Sequence, residues 1–447
     1  MLLTSPRRTA SRRSQLRRFR PRRRPALTFV FAAIVALTGL GARPATAAAD
    51  GVTPLPDITF YGRGYGHGVG MSQYGARGRA LAGQLAPAIL AHYYAGTTIG
   101  WRSPATTVRV LVLSAFQATA LRPATIVGRG GAWTIDGIAN VFPANARMIL
   151  TPTALNATTW TLRVRSSLGL PLYRATVSRG LVVRPAAPAS LLQLASKLTP
   201  SNVYRGFLRI RLTTAVTVIN YVALDTYLRG VVPAEMPAGW PTEALKAQAI
   251  AARSYALRRL HPAIGTYDLY DDTRSQVYRG QRAETLATNA AIAATSGTIL
   301  LSGTSIVNAL YHSADGGWTE NNENVFVSSI GTIVAGPVSY LRGSSDRAPD
   351  GSSYDAASPY ATWHTATYTA DAVASILARD PRTNVGSLVS LDLSRRGVSG
   401  RLISVTIVGS LGTATVSGDV FVAIFNAGRP LTDPTLRGTL FDIQPIP

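Results

Sequence analysis

The stretch INYVALDTYLRGVVPAEMPAGWPTEALKAQAIAARSYALRRL, residues 219–260, combines a central carboxylate, a run of prolines and a strongly helical segment. Glu235 stands between Pro233 and Pro237, and proline favours turn or extended backbone at its own position and at the residue before it. We therefore expect a loop to present the Glu235 side chain. We take this stretch as the reaction centre around which the rest of the chain is organised.

The second half of the stretch predicts a helix. Pro241 suits the first helical position, and Glu243 in the first turn and Arg258 and Arg259 in the last turn complement the helix dipole. Small and apolar residues recur at intervals of three and four, which predicts one face that packs closely on a neighbour. The members of this face are Leu245, Ala249, Ala252 and Ala256.

Three polar side chains of the same helix, Lys246, Gln248 and Arg253, are candidates for substrate contact. Lys246 is one of two lysines in a chain with more than forty arginines, so it departs from a strong compositional preference. Ordinary solvated helix residues would show the same spacing. The sequence leaves both interpretations open.

The chemistry of Glu235 depends on its surroundings. Met236 and Trp240 would desolvate the carboxyl and raise its pKa, as a general acid at neutral pH requires, whereas Lys246 or Arg253 would lower it. An isolated glutamate in a proline-rich loop is also common as a surface carboxylate. Its pattern alone does not choose between these roles.

The string VVPAEMPAGWPTEALKAQAIAARSYAL, residues 231–257, resembles the central motif of the SpoIID/LytB domain family with almost no departures. The resemblance implies a lytic transglycosylase, which cleaves the MurNAc–GlcNAc bond of peptidoglycan glycan strands and leaves a 1,6-anhydro end. One glutamate serves such enzymes as acid and then as base. By that motif, Glu235 matches the catalytic glutamate.

A glycine-rich segment, FYGRGYGHGVGMSQYGARGRALAGQLAPAILAHYYAGTTI at residues 60–99, resembles a second motif of the family. Ser72 is placed to cap a helix that runs through Ala80, and a second helix is predicted from Pro87 to Tyr94. The segment lacks the GKS/T of a phosphate-binding loop, which disfavours a nucleotide site. In the family this motif normally ends the domain, so its forward position suggests a circular permutation.

If residues 60–99 fold back beside Glu235, then His67, Ser72 and Gln73 line the same cleft. The alternative is that the motif only braces the catalytic loop through tight glycine packing. Two later blocks, at residues 267–280 and 306–326, also resemble the family, and the resemblance extends over about residues 60–443. They supply the remaining candidate substrate-binding residues, which are Asp272, Gln276, Tyr278, Tyr311, His312 and Ser313. Structural roles, as a turn-capping acid or a buried histidine, are the alternatives there.

Alternating and apolar runs separated by Gly, Pro and Asn predict many strands between residues 106 and 224, and helices are predicted at 284–295 and 370–378. Near the C-terminus, SLVSLDLS, LISVTIVG and VFVAIF are predicted as strands. The fold class is therefore α+β. The predicted division is a signal or anchor at 1–49, the permuted segment at 57–100, a β-rich subdomain at 101–190 and a SpoIID-like catalytic domain at 200–447.

Basic charge is concentrated at the N-terminus. The chain has a formal net charge of +23, but residues 1–49 hold eleven arginines and no acid, and the remainder holds 34 basic and 22 acidic residues. An arginine-rich start, an apolar stretch at 26–42 and a small-residue site at 45–50 have the layout of a secretory signal. We expect a secreted or cell-wall protein, with an uncleaved membrane anchor as the alternative.

For an exported protein, positive charge has natural partners in anionic wall polymers, although a general preference for arginine would give the same charge. No recognised nucleic-acid-binding motif is present, so we expect no nucleic-acid partner. The chain has no cysteine, which excludes disulfides and thiolate metal sites, and its five histidines show no metal-binding spacing. We therefore expect no metal and no cofactor, unlike relatives described with zinc held by His and Cys.

Two rival functions stay open. The chain could bind peptidoglycan without cutting it and recruit an amidase, or it could hydrolyse the glycan with water, as lysozyme does. The chemistry of the product ends separates these possibilities.

Overall fold

This computed structural model describes residues 56–261 and 263–446, and within them the chain forms eight α-helices and one 3-10 turn. The helices are α1 (Gln73–Leu81), α2 (Ala86–Tyr93), α3 (Leu224–Glu235), α4 (Thr242–Arg258), α5 (Leu286–Ala294), α6 (Asn322–Val325), α7 (Ala370–Leu377) and α8 (Gly418–Gly428), and the 3-10 turn is Gly280–Ala283. The predicted signal or anchor at 1–49 lies outside the described residues. None of the described helices is long and apolar enough to cross a membrane.

The predicted start of α1 at Ser72 is confirmed, and the predicted start of α4 is displaced by one residue, because Pro241 precedes the helix instead of being its first residue. Ser72 begins α1 by accepting a hydrogen bond from the Gly75 N–H at 3.1 Å, and Pro241 is the N-cap residue of α4. Thr285, Thr369 and Ser417 cap α5, α7 and α8 through the same hydroxyl geometry.

The strands form several separate sheets. They are β1 (Tyr61–Gly62), β2 (Met71–Ser72), β3 (Thr98–Trp101), β4 (Thr107–Phe116), β5 (Ala124–Arg129), β6 (Trp133–Ile135), β7 (Val141–Phe142), β8 (Arg147–Pro152), β9 (Trp160–Arg165), β10 (Pro171–Val177), β11 (Leu181–Pro185), β12 (Leu191–Leu194), β13 (Val203–Tyr204), β14 (Phe207–Leu212), β15 (Val216–Ala223), β16 (Leu269–Tyr270), β17 (Thr298–Ser302), β18 (Ser305–Ile306), β19 (Tyr311–His312), β20 (Trp363–His364), β21 (Leu388–Asp392), β22 (Ser404–Gly409), β23 (Gly412–Ser417) and β24 (Phe441–Asp442). Together with the helices they confirm the predicted α+β class.

Two large sheets dominate the first half of the described chain. One has seven strands in the order β16-β4-β15-β14-β11-β6-β7, and the other has six in the order β10-β9-β8-β5-β12-β13. Both sheets contain strands from the predicted β-rich subdomain at 101–190 and strands from the chain that follows it. The proposed division between 101–190 and 200–447 therefore does not follow the hydrogen bonding, because strands distant in sequence complete each other's ladders.

The two large sheets share one hydrophobic core with α3 and α4. Alternate residues of the seven-stranded sheet, such as Leu208, Ile210 and Val218, enter this core, and Trp133 and Trp160 are fully buried in it. Helices α1, α2 and α4 enclose a second core, and α7 and α8 pack with β21, β22 and β23 around a third. Glu235, at the end of α3, thus projects from elements that the first core holds in place.

The strand predicted at VFVAIF is wrong, because this segment lies inside α8. Its β-branched residues favour a strand locally. The Ser417 hydroxyl nevertheless caps a helix by accepting from the Val420 N–H, and Phe421 and Phe425, one turn apart, are both fully buried. Packing of these two rings in the third core overrides the local preference.

Candidate active site

Glu235 is the last residue of α3, so the prediction of a loop position is wrong. Pro233 lies inside the helix, which the burial of Tyr227, Val231 and Val232 holds together despite the missing N–H. The helix ends at Met236, whose backbone is extended immediately before Pro237, as steric contact with proline requires. The carboxyl therefore projects from a rigid helix end.

The Glu235 side chain faces a cavity of about 330 Å³. The lining residues are His67, Glu235, Tyr255, Arg259, Thr273, Ser275, Val277, Leu310, Tyr311 and Phe326. They come from the glycine-rich segment, from α3 and α4, and from the two later family-like blocks. The cavity thus assembles distant parts of the chain around one carboxyl.

Three donors hold the carboxylate. The Val277 backbone N–H donates to Oε1 at 3.0 Å, the Gln73 side-chain amide donates to Oε2 at 3.5 Å, and the Tyr311 hydroxyl also donates to the group. Because Oε1 and Oε2 each have a partner, the orientation of the carboxyl is fixed before any substrate binds.

Burial raises the pKa of Glu235 above that of an ordinary glutamate. The hydrogen bonds from Val277, Gln73 and Tyr311 and the positive charge of Arg279 oppose this shift but do not cancel it. A carboxyl that keeps its proton at higher pH is suited to act as a general acid. Burial of Glu235 in the fold therefore makes this carboxyl suitable as a general acid.

Tyr311 connects Glu235 to a buried chain of hydrogen bonds. Its hydroxyl accepts from the Gln276 side-chain amide at 2.9 Å, the same amide donates to the Ala252 carbonyl at 3.3 Å, and the Gln276 oxygen accepts from the Tyr227 hydroxyl at 3.2 Å. Gln276 is therefore adjacent to the site, as predicted, but acts on Tyr311 rather than facing the cavity.

Replacing Tyr311 by phenylalanine should raise the pKa of Glu235 further, because it removes a donor that stabilises the charged form. A general acid must be protonated, so its rate falls as the pH rises through its pKa. The basic limb of the pH profile of kcat/KM should therefore move to higher pH in the Tyr311→Phe variant. Tyr255→Phe is the matched control, because Tyr255 lines the same cavity but donates no hydrogen bond to Glu235. An equal shift in both variants would contradict this account.

His67 and His312 lie together beside the cavity, with ring centroids 5.4 Å apart. Burial lowers the pKa of His67 to about 4 and the pKa of His312 well below its ordinary value, so both rings are neutral near pH 7. The His67 Nδ1 accepts from the Val69 N–H at 3.0 Å, which leaves its Nε2 protonated. Only His67 of this pair lines the cavity.

No set of three metal-binding side chains converges within residues 56–261 and 263–446.

The glycine-rich segment lies beside Glu235 as the sequence led us to expect. Strand β2 pairs in parallel with β19, with Met71 opposite Tyr311 and Ser72 opposite His312, and this pairing brings Gln73 to the carboxyl. Ser72 is fully buried and its hydroxyl caps α1, so it positions Gln73 and does not face the cavity. Whether this order reflects a circular permutation stays a prediction.

Gly70 makes the pairing of β2 with β19 possible. Its φ is +73°, and a Cβ at this position would collide with the Leu310 carbonyl oxygen. Gly70→Ala should therefore destabilise the protein by about 1–3 kcal/mol and lower its activity, because Gln73 and Tyr311 would separate. Chemical denaturation checks the stability. Gly83→Ala is the control, since its φ is +84° with no atom within 4 Å, and an equal loss in both variants would exclude a role for the Leu310 contact.

Other predicted site residues lie away from the cavity. Arg253 and Gln248 are completely buried, so neither is the solvated helix residue that the alternative assumed. Arg253 donates to Asp225 at 2.7 Å and to the Thr298 carbonyl at 3.0 Å, which ties α4 to α3 and β17. Lys246 is partly exposed and pairs with Glu243 at 2.7 Å. None of these three side chains is placed to contact a substrate in the Glu235 cavity.

Three further candidates also stand outside the lining. Asp272 is part of an exposed ion pair with Arg274, and the Tyr278 hydroxyl is buried and donates to Asn220 at 2.9 Å. Ser313 is half-buried next to His312, and its carbonyl accepts from the Tyr74 N–H. None of these three residues lines the Glu235 cavity.

Sequence reasoning missed Tyr255 and Arg259 as cavity residues. The Arg259 guanidinium lies 3.4 Å from the Tyr255 ring centroid and donates to the Asn308 side-chain oxygen at 2.7 Å. Their spacing of four residues at the end of α4 was a signal that both occupy one face. Arg259 provides the cavity with a positive charge.

Comparisons with known proteins match the segment of the chain that contains Glu235. The family described as "SpoIID: Stage II sporulation protein" matches residues 213–301, which include Glu235 and α4. Similar proteins include an amidase enhancer of Bacillus subtilis (strain 168), 35% identical over 148 residues that are 32% of this chain and 20% of that protein. Stage II sporulation protein D of the same strain is 36% identical over 133 residues, 26% of this chain and 39% of that protein.

A stage II sporulation protein D of Bacillus amyloliquefaciens is 36% identical over 131 residues, which are 25% of this chain and 37% of that protein. The chain thus spans 39% or less of the length of these three relatives. No solved structure matches the chain significantly.

Proposed function

We infer that the chain, whose residues 213–301 match the SpoIID family, is a member of that family, and on that premise we propose that it is a lytic transglycosylase that cleaves MurNAc–GlcNAc bonds in peptidoglycan glycan strands. The observation that carries the proposal is the buried Glu235 carboxyl, held by three donors at the wall of a cavity and with its pKa raised by burial. The resemblance to the SpoIID family indicates which bond is cleaved, and the site provides an acid suited to cleave it.

In the first step Glu235 is the acid. It donates its proton to the glycosidic oxygen while the bond to the anomeric carbon breaks, and positive oxocarbenium-like charge develops on the sugar. The carboxylate left behind is stabilised by the Val277 N–H, Gln73 and Tyr311. The pKa of Glu235 is thus balanced between burial, which favours the acid, and hydrogen bonds, which favour its conjugate base.

In the second step the same carboxylate is the base. The 6-hydroxyl of the MurNAc ring attacks the anomeric carbon and closes the anhydro ring, and Glu235 takes the hydroxyl proton. No water is consumed, and the carboxyl returns to its protonated form. One glutamate is sufficient for both steps.

The lining of the cavity favours ring closure over hydrolysis by a carboxylate pair. Glu235 is the only acidic residue among the described residues that line the cavity. A hydrolase of the usual kind requires a second carboxylate about 5–9.5 Å from the first, as nucleophile or as base for water. An attacking group within the sugar itself removes that requirement.

A second candidate function is the stimulation of an amidase. It is favoured by the name of one relative, the amidase enhancer of Bacillus subtilis.

We also propose that the protein acts outside the cytoplasm, because residues 1–49 have the layout of a secretory signal.

Mass spectrometry of soluble products from peptide-stripped glycan strands tests the proposal. We expect chain ends that carry 1,6-anhydro-muramic acid. Reducing ends would identify a hydrolase instead. If no product forms while the glycan still binds, the enzyme proposal is refuted, and an amidase assay with and without this protein then tests the second candidate.

A further inference from the structure

The outer face of the seven-stranded sheet carries a groove of about 590 Å³ that is separate from the Glu235 cavity. Along β14, Leu208 and Ile210 enter the core shared with α3 and α4, so Arg209 and Arg211 point to the opposite face. We call the surface formed by Arg109, Arg179, Arg209 and Arg211 the arginine groove. No residue lines both the groove and the Glu235 cavity.

The arginine groove has unbalanced positive charge. Its lining contains four arginines and no carboxylate, and Asp268 neutralises only Arg109, at 2.6 Å. Arg179, Arg209 and Arg211 are exposed, and none of them forms an ion pair with any residue in the described part of the chain. Like charges held close together repel, and an anionic ligand would relieve this repulsion.

The arrangement of these arginines suits a chain of repeated anions. Arg209 and Arg211 are two residues apart on one strand, which separates their Cα atoms by about 7 Å. Arg179 comes from the segment between β10 and β11, and the Tyr221 hydroxyl, 3.4 Å from Nη1 of Arg209, holds that side chain. Guanidinium groups bind phosphate oxygens in pairs, so a row of them matches a phosphate-bearing polymer.

We propose that the arginine groove binds a polyanionic cell-wall polymer with phosphodiester groups. The choice of a wall polymer rests on the proposed function, since binding to such a polymer would hold the enzyme close to its glycan substrate. Nucleic acid fits less well, because single strands are bound through bases stacked on open aromatic rings. Here Tyr221 stacks on Phe207 at 4.7 Å, and Arg184 covers Phe207 at 4.2 Å.

The test compares the full chain with a variant carrying Arg179→Ser, Arg209→Ser and Arg211→Ser. Synthetic poly(glycerol phosphate) is the probe, and its affinity is measured by fluorescence anisotropy over a range of salt concentrations. We expect affinity to fall about tenfold, as three exposed charge contacts predict. The slope of log K against log salt should become shallower by about two.

The control variant carries Arg147→Ser, Arg163→Ser and Arg174→Ser, which remove equal charge from the six-stranded sheet, where these arginines also form no ion pair with described residues. All versions keep the same N-terminal arginines, so differences report on the substituted surfaces. Equal affinity loss in both variants, or no loss in the groove variant, would overturn the proposal. Tighter, groove-dependent binding of single-stranded DNA with the same number of phosphates would also overturn it.

Cleavage of soluble glycan separates this inference from the proposed function. The groove variant should cleave short glycan strands at the wild-type rate, because none of its substitutions lies in the Glu235 cavity. A wild-type chain that binds poly(glycerol phosphate) through the groove but yields no glycan products would refute the proposed activity alone. The polymer site would then still stand.

Discussion

Replacing Glu235 by glutamine should lower the rate of glycan cleavage by about 10³-fold, because the only acid and base of the proposed reaction is lost. Glutamine keeps the size of the side chain and an oxygen that can accept from the Val277 N–H. Glycan binding should therefore be retained. Product analysis by mass spectrometry and a sedimentation assay with insoluble peptidoglycan measure the two properties separately.

A measurement of the thermal stability of the same variant tests whether lost activity reflects unfolding. The pKa of Glu235 is raised in the fold, so as pH increases the unfolded chain releases this proton before the native chain does. Between the ordinary glutamate pKa and the raised value, the wild type loses stability with rising pH. Glu235→Gln lacks this loss, so it should melt at a higher temperature than the wild type above that window and at the same temperature below it. Full activity in the variant would refute the assignment of Glu235.

Replacing Arg253 by methionine should lower the free energy of unfolding by about 3 kcal/mol, because it breaks a buried ion pair and leaves one partner uncompensated. Arg253 has no exposed surface, and it joins Asp225 in the first turn of α3 to the Thr298 carbonyl at the start of β17. The folded fraction should still bind glycan with wild-type affinity. Urea denaturation and a binding assay at low temperature check the two expectations.

Arg258→Met is the matched control for this experiment. Arg258 lies on the same helix but is exposed, and a substitution there should change stability by less than about 0.5 kcal/mol. If Arg253→Met were as stable as the control but bound glycan weakly, Arg253 would be a substrate-binding residue, as the sequence alone suggested.

The sequence by itself determined the elements whose signals are local. Helix α4 begins immediately after a proline and continues through an alanine-rich run, and Ser72 caps α1 where the residues that follow it predict a helix. These outcomes depend on residues within one or two turns of each other, so a single stretch contains the necessary information. The similarity of residues 231–257 to a family motif identified Glu235 for the same reason, since a motif is contiguous.

Tertiary structure decided what depends on contacts between distant residues. Burial of apolar side chains keeps α3 helical through Pro233 and makes the segment VFVAIF part of α8. In both places the free energy of packing exceeds the local preference of the residues for a non-helical backbone. It also determined whether a polar helix residue faces substrate or protein. Arg253 and Arg259 are similar in sequence, yet one is buried against Asp225 and the other lines the cavity.

The assembly of the site likewise could not be read from the chain order. Gln73 and Tyr311 meet at Glu235 only because β2 and β19, more than two hundred residues apart, pair in parallel. The pKa of Glu235 follows from this meeting, since burial raises it and the same two side chains lower it. The sequence provides the carboxyl of Glu235. The pH at which this carboxyl loses its proton depends on its burial and on its hydrogen-bond donors, and the fold brings these together from distant parts of the sequence.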